Sequence, residues 1–504
     1  MKKIGFDNEK YLNEQSAYII ERAAKFNNKL YLEFGGKLVH DFHASRVLPG
    51  FDPNVKTRLL ERLKEQAEII ICVYAGDIER RKTRADFGIT YDVDVLRLID
   101  DLRARDILVE NVVVTRYNGQ ATVDTFIRRL EQNNIRVYKH SAIKGYPTDI
   151  QKIVSPSGYG ANPYIETSRP IVVLTAPGPG SGKMATCLSQ VYHEHEKGVP
   201  AGYAKFETFP IWSLPLKHPV NIAYEAATAD LGDFNQIDPF HLEAYGETSI
   251  NYNRDVEIFP VVKHILRKIM GDADVYQSPT DMGVNRAGFA ICDDEIVKEA
   301  STQEVIRRLF RYRCEYKMGL TEIDTVNRVL MLMEQLNRKE TDRSIVTPAR
   351  EAADTAKESG KGNDGIYCGA AIMLPNDKIV TGRNSPLLHA SSAAVLNAIK
   401  ELANIPDDID LLDPIVVNSV SSMKLEILQI NQASLNLEET LVALSVSATS
   451  NPMVKAAIKQ LHKLAGCEMH LSHIPTPGDE SGLRKLGLNL TCDPNFSSKF
   501  LHAV

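Results

Sequence analysis

The sequence lacks the features that mark membrane-spanning and disulfide-stabilised proteins. Its longest apolar run is Ile69–Ala75, far shorter than the roughly 20 residues that a membrane helix needs. The seven cysteines are far apart and include no C-x-x-C pair, so neither a zinc ribbon nor a thioredoxin-type redox site is indicated. The N-terminus turns polar after two lysines and has no signal-peptide core. These absences predict a cytoplasmic protein.

Net charge is also small, at −6 over 504 residues, of which 43% are hydrophobic and 25% charged. This composition is typical of a globular protein with two to four domains, and it excludes a disordered chain. A slightly acidic total gives no reason to expect nucleic acid or an anionic membrane as partner. The charge is uneven, however. Residues 1–170 hold 27 lysines and arginines against 23 acidic residues, and the remainder holds 32 against 42.

Short apolar runs alternate with helical patterns from residue 29 onward. These patterns predict, among others, helices over about 183–196 and over 390–402 and a strand over 415–418. Glu68–Ala75 and Pro170–Ala176 are nearly continuous apolar runs, which indicates strands of a parallel sheet covered on both faces. We predict an α/β fold class, with doubly wound parallel sheet domains, a helical middle section and a second α/β domain at the C-terminus. Flexible Gly, Pro and Ser stretches divide the chain into an N-terminal Rossmann-like domain, a glycine-loop and helical region, and a C-terminal domain, at 1–165, 166–356 and 357–504.

The most informative segment joins an apolar strand to a helical sequence through a glycine-rich loop. It is PIVVLTAPGPGSGKMAT, from Pro170 to Thr186. Glycines of this kind allow backbone N–H groups to converge on phosphate oxygens, the helix N-terminus adds positive potential, and a lysine neutralises charge. We therefore predict a P-loop-like site for a nucleotide or phosphate, with the binding residues Gly178, Gly180, Ser181, Gly182 and Lys183.

The loop departs from the pattern G-x-x-x-x-G-K-[ST] at two positions. Pro177 replaces the first glycine, and Met184 replaces the hydroxyl residue that normally ligates Mg²⁺. A thioether does not replace an oxygen ligand of a hard cation. ATP or another phosphate ligand is therefore expected, while the use of Mg²⁺ stays open. The alternative is a Gly/Pro connection between strand and helix that binds nothing.

The basic run Arg80–Arg84 follows the first of the two apolar strands. One interpretation is a solvated surface turn. The other is a phosphate or carboxylate clamp at the C-terminal end of a parallel strand, where ligands bind in open α/β sheets. If this run meets the glycine loop in space, the acidic total conceals a local site for a small anion.

The segment QSPTDMGVNRAGF, at Gln277–Phe289, combines turn-forming residues with polar functional groups. Asp281 is a candidate catalytic residue, and Asn285 and Arg286 are candidates for binding a substrate or phosphate. The alternative is a surface loop in which Asp281 and Asn285 hydrogen-bond to nearby backbone groups.

The segment Gly35–Pro49 follows the first strand. Its two initial glycines and Lys37 are a second candidate anion cradle. His40 and His43 are candidate acid–base residues that would share a helical face, and Arg46 is a candidate ligand clamp. Two histidines without a placed carboxylate do not make a metal site, and no metal ligand is predicted. A packing or solvent-facing role is the alternative.

Polar groups also occur in the C-terminal third, and a general base could come from either of two sets. One set precedes a helix and comprises Arg383, Asn384, Ser385 and His389. The other lies near the end and comprises His470, His473 and Asp479. The sequence contains no G-x-S-x-G elbow, H-E-x-x-H helix or EF-hand loop.

Three motifs together suggest a family. GGKLVHDFHASRVLPGF, TAPGPGSGKMATCLSQ and QSPTDMGVNRAGFAI resemble a bacterial family of conserved proteins of about this length and of unknown function. The resemblance extends over the whole chain, and the second and third motifs are specific to it. It implies a bacterial cytoplasmic protein with two or more α/β regions, and it carries over no activity, substrate or catalytic residue.

The leading hypothesis is an enzyme that binds a nucleotide or phosphorylated metabolite and catalyses phosphoryl transfer or ATP-dependent ligation. The three motifs would then line one cleft, and the partner would be a small anionic molecule. The alternative is a non-catalytic ligand-binding or assembly protein whose glycine loop is a structural turn. A dinucleotide is least favoured, because no G-x-G-x-x-G follows a predicted strand. A homo-oligomer is expected for an enzyme of this size.

Overall fold

A computed structural model describes residues 4–84, 88–271, 275–430 and 432–499, and only the backbone of Arg84. The chain divides into two units, Met1–Glu304 and Val305–Val504. Within the described residues, no helix is both long and apolar enough to span a membrane.

Among its described residues, the first unit contains a six-stranded sheet and two short two-stranded sheets, together with helices. Its strands are β1 (Leu30–Phe34), β2 (Ala67–Tyr74), β3 (Thr83–Arg84), β4 (Ile89–Thr90), β5 (Leu108–Thr115), β6 (Arg136–His140), β7 (Ile171–Thr175), β8 (Gly202–Phe206), β9 (Asn235–Ile237) and β10 (Ile250–Tyr252). Its helices are α1 (Asn8–Ala24), α2 (Phe42–Val47), α3 (Val55–Arg62), α4 (Ala75–Glu79), α5 (Tyr91–Arg103), α6 (Ala121–Glu131), α7 (Ile150–Ile153), α8 (Lys183–Glu196), α9 (Pro219–Ala227), α10 (Pro239–Tyr245), α11 (Asn253–Met270) and α12 (Pro279–Met282), and α13 (Asp294–Lys317) continues into the second unit.

Six strands form a parallel sheet in the order β6-β5-β2-β7-β1-β8. Every residue of β1 and β7 is buried, which fits their continuous apolar sequence and a sheet covered on both faces. Helix α8 packs on β1, β7 and β8, and α5 packs on β2 and β5. The predicted α/β parallel sheet flanked by helices is therefore confirmed.

All six strands run parallel, but successive strands are added on one side of the sheet after β2 and on the other side after β7. From β2 the chain proceeds through α5 and α6 to β5 and β6, whereas from β7 it proceeds through α8 to β8, on the opposite side. β2 and β7 are adjacent, so their connections leave in opposite directions. A crevice at the carboxyl ends of such strands is the usual ligand position in open α/β sheets.

The second unit contains a smaller mixed sheet in the order β12-β11-β13-β14. Its strands are β11 (Gly369–Met373), β12 (Ile379–Arg383), β13 (Glu468–Leu471) and β14 (Asn489–Cys492), and its helices are α14 (Ile323–Gln335), α15 (Val346–Glu358), α16 (Ala390–Leu402), α17 (Pro414–Ser422), α18 (Leu437–Ser447), α19 (Pro452–Ile458) and α20 (Pro477–Lys485). β11 pairs antiparallel with β12 and β13, and β13 pairs parallel with β14. This sheet confirms the second, C-terminal α/β region.

Two sequence expectations differ from the structure. Ile415–Asn418 was expected as a strand but lies in α17, because the Asp413 side chain caps the helix and Pro414 occupies its first position. The three-domain division also differs from the observed units. Both sides of the boundary at residue 165 contribute to one sheet, since β7 lies between β2 and β1, and residue 357 falls inside the second unit.

Candidate functional site

The glycine loop connects β7 to the N-terminus of α8, at the carboxyl edge of the parallel sheet. Gly180 and Gly182 both adopt left-handed backbone conformations, with φ of 72° and 86°. A Cβ on Gly182 would also lie only 3.0 Å from the side chain of Thr115. Glycine at this position therefore allows the close approach of the loop to the end of β5.

The loop presents unsatisfied hydrogen-bond donors. The N–H groups of Gly180, Gly182 and Lys183 donate to no acceptor within the described part of the chain, and Gly182 provides no side-chain cap for α8. The partly exposed Lys183 side chain likewise has no hydrogen-bond or ion-pair partner in that part. The loop therefore combines free donors with the positive end of the dipole of α8.

Hydrogen bonds to the carbonyl groups hold the loop in place. The Thr115 hydroxyl donates to the Ser181 carbonyl at 2.8 Å, and the Ser181 hydroxyl donates to the Gly178 carbonyl at 2.6 Å. The Arg116 guanidinium donates to the Gly180 carbonyl at 2.5 Å and stacks 3.4 Å from the ring centroid of Tyr74. These contacts fix the loop before any ligand arrives, which reduces the entropic cost of binding.

The basic run meets the glycine loop at Tyr91. A Cβ on Gly178 would lie 2.1 Å from the Tyr91 hydroxyl oxygen, so the loop packs directly on this residue. The Lys82 ammonium lies 5.1 Å from the Tyr91 ring centroid and 3.9 Å from an Asp77 oxygen. Arg80 also pairs with Asp77. Positive charge from the basic run therefore lies beside the loop, although the side chain of Arg84 is outside the described residues.

The first turn of α8 offers no free hydroxyl to a metal ion. Met184 packs against the hydrophobic core, and the Thr186 hydroxyl donates to the Gly182 carbonyl at 3.0 Å. Among the described residues, no group of three or more His, Cys, Asp or Glu side chains is arranged to hold a metal ion.

A second polar cluster lies at the same edge of the sheet, at the ends of β1 and β8. Lys205 contacts both oxygens of Asp255 at 2.7 and 2.6 Å and lies 3.3 Å from Glu207. The Tyr203 hydroxyl donates to the largely buried Glu33 at 2.7 Å. Three carboxylates thus surround one lysine, and we name Glu33, Lys205, Glu207 and Asp255 the acidic cluster.

Glu207 is the group in this cluster best suited to proton transfer. Burial raises its pKa, Lys205 lowers it, and the charges of Asp255 and Glu33 raise it further, giving a value of about 7. Its side chain is still 23% exposed. The Tyr252 hydroxyl donates to it at 3.1 Å. A carboxyl group that titrates near neutral pH and reaches solvent is suited to general acid–base catalysis.

Glu207 lies at the same edge of the sheet as the glycine loop. β8 is two strands from β7, and strands lie about 4.8 Å apart, so the ends of these two strands are roughly 10 Å apart. A Cβ on Gly35, at the end of β1, would lie 2.3 Å from the Glu207 side chain. The absence of a side chain on Gly35 therefore leaves room for the Glu207 carboxylate beside the end of β1.

The sequence interpretation missed the acidic cluster. The available signal was Glu33 within the otherwise apolar strand LYLEF, because a charged residue in a strand buried on both faces requires a polar partner. The partners come from residues 203–207 and from α11, and no local pattern connects these segments.

Asp281, Asn285 and Arg286 make contacts that stabilise their own segment. The Asp281 carboxylate accepts hydrogen bonds from two backbone N–H groups and from the Tyr245 hydroxyl, and it completes a capping box. The Asn285 amide donates to the Thr208 carbonyl at 2.8 Å and accepts from a backbone N–H. The Arg286 guanidinium lies 3.8 Å from the ring centroid of Phe289. Such contacts are expected if the segment is a surface loop whose polar side chains hydrogen-bond to nearby backbone groups. Catalytic and binding roles for the three residues stay predictions.

The histidine segment also forms mostly internal contacts. His43 lies 3.1 Å from the buried Glu304, and Arg46 binds the same carboxylate through two hydrogen bonds of 2.7 and 3.0 Å. The expected common helical face of His40 and His43 is wrong, because the helix begins at Phe42 and His40 has a φ of 57°. Acid–base roles for the histidines and ligand binding by Arg46 stay predictions.

The carbonyl groups on either side of Gly36 point toward the side chain of Lys56. The buried Lys56 ammonium donates to the Gly35 and Lys37 carbonyls at 3.3 and 3.0 Å and to Asp41 at 3.1 Å. The geometry therefore binds a lysine and is the opposite of an anion cradle.

The structure brings the first and third motifs together beside residues 208 and 209, and a cleft that they share with the glycine loop stays a prediction. The His43 ring lies 5.4 Å from the ring of Phe209, and Asn285 donates to Thr208. The two contacted residues, Thr208 and Phe209, directly follow Glu207 in the sequence. Gly283 pairs with Lys205 on the outer side of β8, three strand positions from β7.

In the second unit, two of the candidate sets converge. His389 Nδ1 lies 2.7 Å from a carboxylate oxygen of Asp479, and His473 lines the same cavity as His389. His470 instead contacts Thr491 at 2.9 Å and Asp493 at 3.6 Å. The Asn384 side chain hydrogen-bonds to the backbone of Cys368 and Ile366. Arg383 is exposed.

Replacement of Glu207 by glutamine is expected to stabilise the first unit at high pH. A folded-state pKa raised from 4.5 to about 7 means that ionisation of Glu207 destabilises the folded state as pH rises through this range. Each pKa unit corresponds to about 1.4 kcal/mol, so the gain should be roughly 1–3 kcal/mol at pH 8 and near zero at pH 5. Denaturant unfolding of both proteins at the two pH values measures it.

The matched control is Glu247→Gln, since Glu247 is exposed on the same unit. It should change the free energy of unfolding by less than about 0.5 kcal/mol at either pH. A Glu207→Gln protein that is destabilised at pH 8 would contradict the assigned pKa.

Comparison with known proteins identifies the family. The profile "Domain of unknown function DUF1846, N-terminal" matches residues 4–337, and "Domain of unknown function DUF1846, C-terminal" matches residues 341–502. The chain is 56% identical over 500 residues to a UPF0371 protein of Clostridium tetani (strain Massachusetts / E88), and 56% identical over 501 residues to one of Clostridium botulinum (strain Kyoto / Type A2). Each alignment covers 99% of both chains. The chain therefore belongs to the bacterial DUF1846 family, whose two domains together span almost its whole length.

Proposed function

We propose that the Met1–Glu304 unit is an enzyme domain that binds the phosphate groups of a nucleotide or phosphorylated metabolite at the glycine loop. One observation carries the proposal: the free N–H groups of Gly180, Gly182 and Lys183, together with the unpaired Lys183 ammonium, lie at the point where successive strands change from one side of the sheet to the other. Free backbone donors at a helix N-terminus are complementary to phosphate oxygens.

The surrounding charges favour a polyphosphate over a single carboxylate. Arg116 and Lys82 add two cations beside the loop, and neither belongs to the loop itself. With Lys183, they can neutralise several phosphate charges without a metal ligand from α8. Guanidinium and ammonium groups make strong charge-assisted hydrogen bonds to phosphate.

The chemistry that fits this arrangement is phosphoryl transfer or ATP-dependent ligation. In both reactions an acceptor group must lose a proton as it attacks, and Glu207, with a pKa of about 7, follows a strand that lies roughly 10 Å from the strand before the loop. The loop would hold the phosphates and Glu207 would accept the proton. Electrostatic stabilisation and positioning are the main contributions to such reactions.

The phosphate requirement is tested by isothermal titration of the full chain with ATP, inorganic pyrophosphate and adenosine. ATP and pyrophosphate should bind with or without added Mg²⁺, and affinity should fall as salt is raised because the contacts are ionic. Adenosine should bind at least tenfold more weakly than ATP. Equal binding of adenosine and ATP would favour the alternative, in which the glycine loop is only a structural turn.

We place this activity in the cytoplasm and take a small anionic molecule as its partner. All seven cysteines lie in the described part of the chain and each is a free thiol, which supports a reducing compartment. The predicted homo-oligomer stays a prediction.

A further inference from the structure

The second unit contains a cavity of about 270 Å³ that the phosphate site does not use. Its volume equals the share of about nine water molecules in the liquid, enough for a small organic molecule. Part of the wall is apolar, at Ile366, Leu388 and Ala390, and part of it is polar, with two histidines, His389 and His473. A ligand that fits this cavity therefore has one apolar part and one polar part.

Three helices begin at this cavity or directly beside it. His389 and Thr476 are the N-cap residues of α16 and α20, and both line the cavity. The first N–H group of α18, at Leu437, donates at 2.9 Å to the carboxylate of Asp479, which itself lies in the first turn of α20. Each helix N-terminus carries roughly half a positive elementary charge, so their convergence favours a negatively charged group.

The N-terminus of α16 retains unsatisfied hydrogen-bond donors. The N–H groups of Ala390, Ser391 and Ser392 donate to no acceptor among the described residues, and the His389 side chain does not cap the helix. All three of these residues are buried. The N–H groups of a helix point toward its N-terminus, which here is the end that lines the cavity. An anion is the strongest acceptor for such donors.

Asp479 fixes the ring of His389 and is itself closed to a ligand. Its carboxylate lies 2.7 Å from Nδ1 of His389 and accepts hydrogen bonds from the Ser391 and Thr476 hydroxyls, both also at 2.7 Å, so that with Leu437 four donors surround a side chain that is 1% exposed. Burial raises the pKa of Asp479, but the hydrogen bond and positive charge of His389, together with the hydroxyl groups, outweigh it and lower the pKa to about 2. An ionised carboxylate only accepts hydrogen bonds, so Nδ1 of His389 carries a proton and Nε2, which has no partner among the described residues, is left for a ligand.

His473 presents a second ring nitrogen to the cavity. The residue is only 3% exposed, and its Nδ1 is enclosed by protein, out of reach of a ligand. Its Nε2 is not enclosed in this way and has no hydrogen-bond partner in the part of the chain that the structure describes. Burial lowers the pKa of His473 to about 4, so the ring is neutral at physiological pH and its single N–H can lie at Nε2. His473 can therefore donate one hydrogen bond to a ligand.

Two serine hydroxyls on the cavity wall are also available as donors. Oγ of Ser385 accepts hydrogen bonds from two backbone N–H groups at 3.2 and 3.1 Å, and Oγ of Ser434 accepts from the Asn363 amide at 3.3 Å. Neither hydroxyl donates to an acceptor within the described residues. Asp364 and Lys499 also line the cavity, but they carry opposite charges and are exposed at its rim. The hydroxyls therefore add to the donors of α16 and of the two histidines.

We propose that this cavity binds a small monocarboxylate, with the carboxylate at the N-terminus of α16 and an apolar body against Ile366 and Leu388. The carboxylate would accept hydrogen bonds from Nε2 of His389 and from Nε2 of His473. A bound anion favours the imidazolium form of His389, in which both ring nitrogens donate. A monocarboxylate carries its single charge at one end, which leaves the rest of the molecule for the apolar wall. This site is independent of the proposed phosphate site in the first unit.

Three probes of the same shape that differ in charge provide the test: benzoate, benzamide and the benzamidinium cation, titrated into the full chain at pH 7 with ligand-observed NMR. Benzoate should bind, and the neutral amide and the cation should bind at least tenfold more weakly. His389→Gln keeps a polar group beside Asp479 but cannot become a cation, and it should weaken benzoate binding at least tenfold. His462→Gln, at an exposed histidine of the same unit, should leave it unchanged. Absent binding of benzoate, equal binding of the three probes, or unchanged binding in His389→Gln overturns the proposal.

A measurement on the unmodified protein covers the case in which His389→Gln does not fold. With ¹⁵N-histidine labelling, benzoate should shift the imidazole signals of His389 and His473 and leave that of His462 in place. In the complex, His389 should be protonated at both ring nitrogens. Signals of His389 and His473 that stay unchanged at saturating benzoate overturn the proposal, because benzoate then binds elsewhere in the chain.

Discussion

Replacing Lys183 by alanine is expected to weaken the binding of ATP by about 10- to 100-fold. The Lys183 ammonium has no partner in the described part of the chain, so its charge is available to a phosphate oxygen. A charge-assisted hydrogen bond contributes roughly 1.5–3 kcal/mol, which corresponds to this range. Isothermal titration with ATP measures the effect directly.

The same absence of a partner predicts that Lys183→Ala leaves stability nearly unchanged. The free energy of unfolding should fall by less than about 0.5 kcal/mol, since no ion pair is broken. Lys217→Ala, at an exposed lysine of the same unit, is the matched control and should retain wild-type affinity. If both variants bind ATP as wild type does, phosphate binding by the loop is wrong.

Replacing Lys205 by methionine is expected to produce the largest loss of stability, about 3–5 kcal/mol at pH 8. Methionine preserves much of the side-chain volume but leaves Glu33, Glu207 and Asp255 without their common cation. Uncompensated buried charges of this kind are strongly destabilising. Burial lowers the pKa of Lys205, but Asp255 and Glu207 outweigh it and raise the pKa, so the lysine is charged throughout this pH range.

The deficit of Lys205→Met should shrink as pH falls from 8 to 5. Without the lysine, mutual repulsion raises the pKa of the clustered carboxyl groups above their values in the unfolded chain. The folded state then binds more protons than the unfolded state, so acidification stabilises it relative to wild type. Urea unfolding at several pH values tests this, with Lys217→Met as control. A deficit that does not change with pH would show that lost packing, not charge, causes it.

Local patterns in the sequence were sufficient to predict much of the fold. The helices at 183–196 and 390–402 have the predicted bounds because their apolar periodicity is continuous, although neither N-cap residue caps its helix with a side chain. The strand at 415–418 was wrong because β-branched residues favoured extended structure while the Asp413-Pro414 helix start decided the outcome. Such conflicts between propensity and capping are resolved by the hydrogen bonds that the folded chain forms.

The candidate site was only partly predictable, for a physical reason. The glycine loop is a continuous segment, so its position between strand and helix followed from the sequence alone. Glu207 acquires its raised pKa from burial and from the charges of Asp255 and Glu33, which lie far from it in the chain. His389 and Asp479 are 90 residues apart, and both were recognised as candidates without a basis for pairing them. Tertiary packing brings these residues together, and no local spacing in the sequence shows which of them become neighbours.

A crystal structure of the full chain grown with ATP and no added Mg²⁺ would show whether the glycine loop binds phosphate. We expect phosphate oxygens within hydrogen-bond distance of the N–H groups of Gly180, Gly182 and Lys183 and of the Lys183 ammonium. The loop backbone should change little, because Thr115 and Arg116 already hold it. ATP bound elsewhere, with the loop contacting no phosphate, would show that the loop is not a phosphate site.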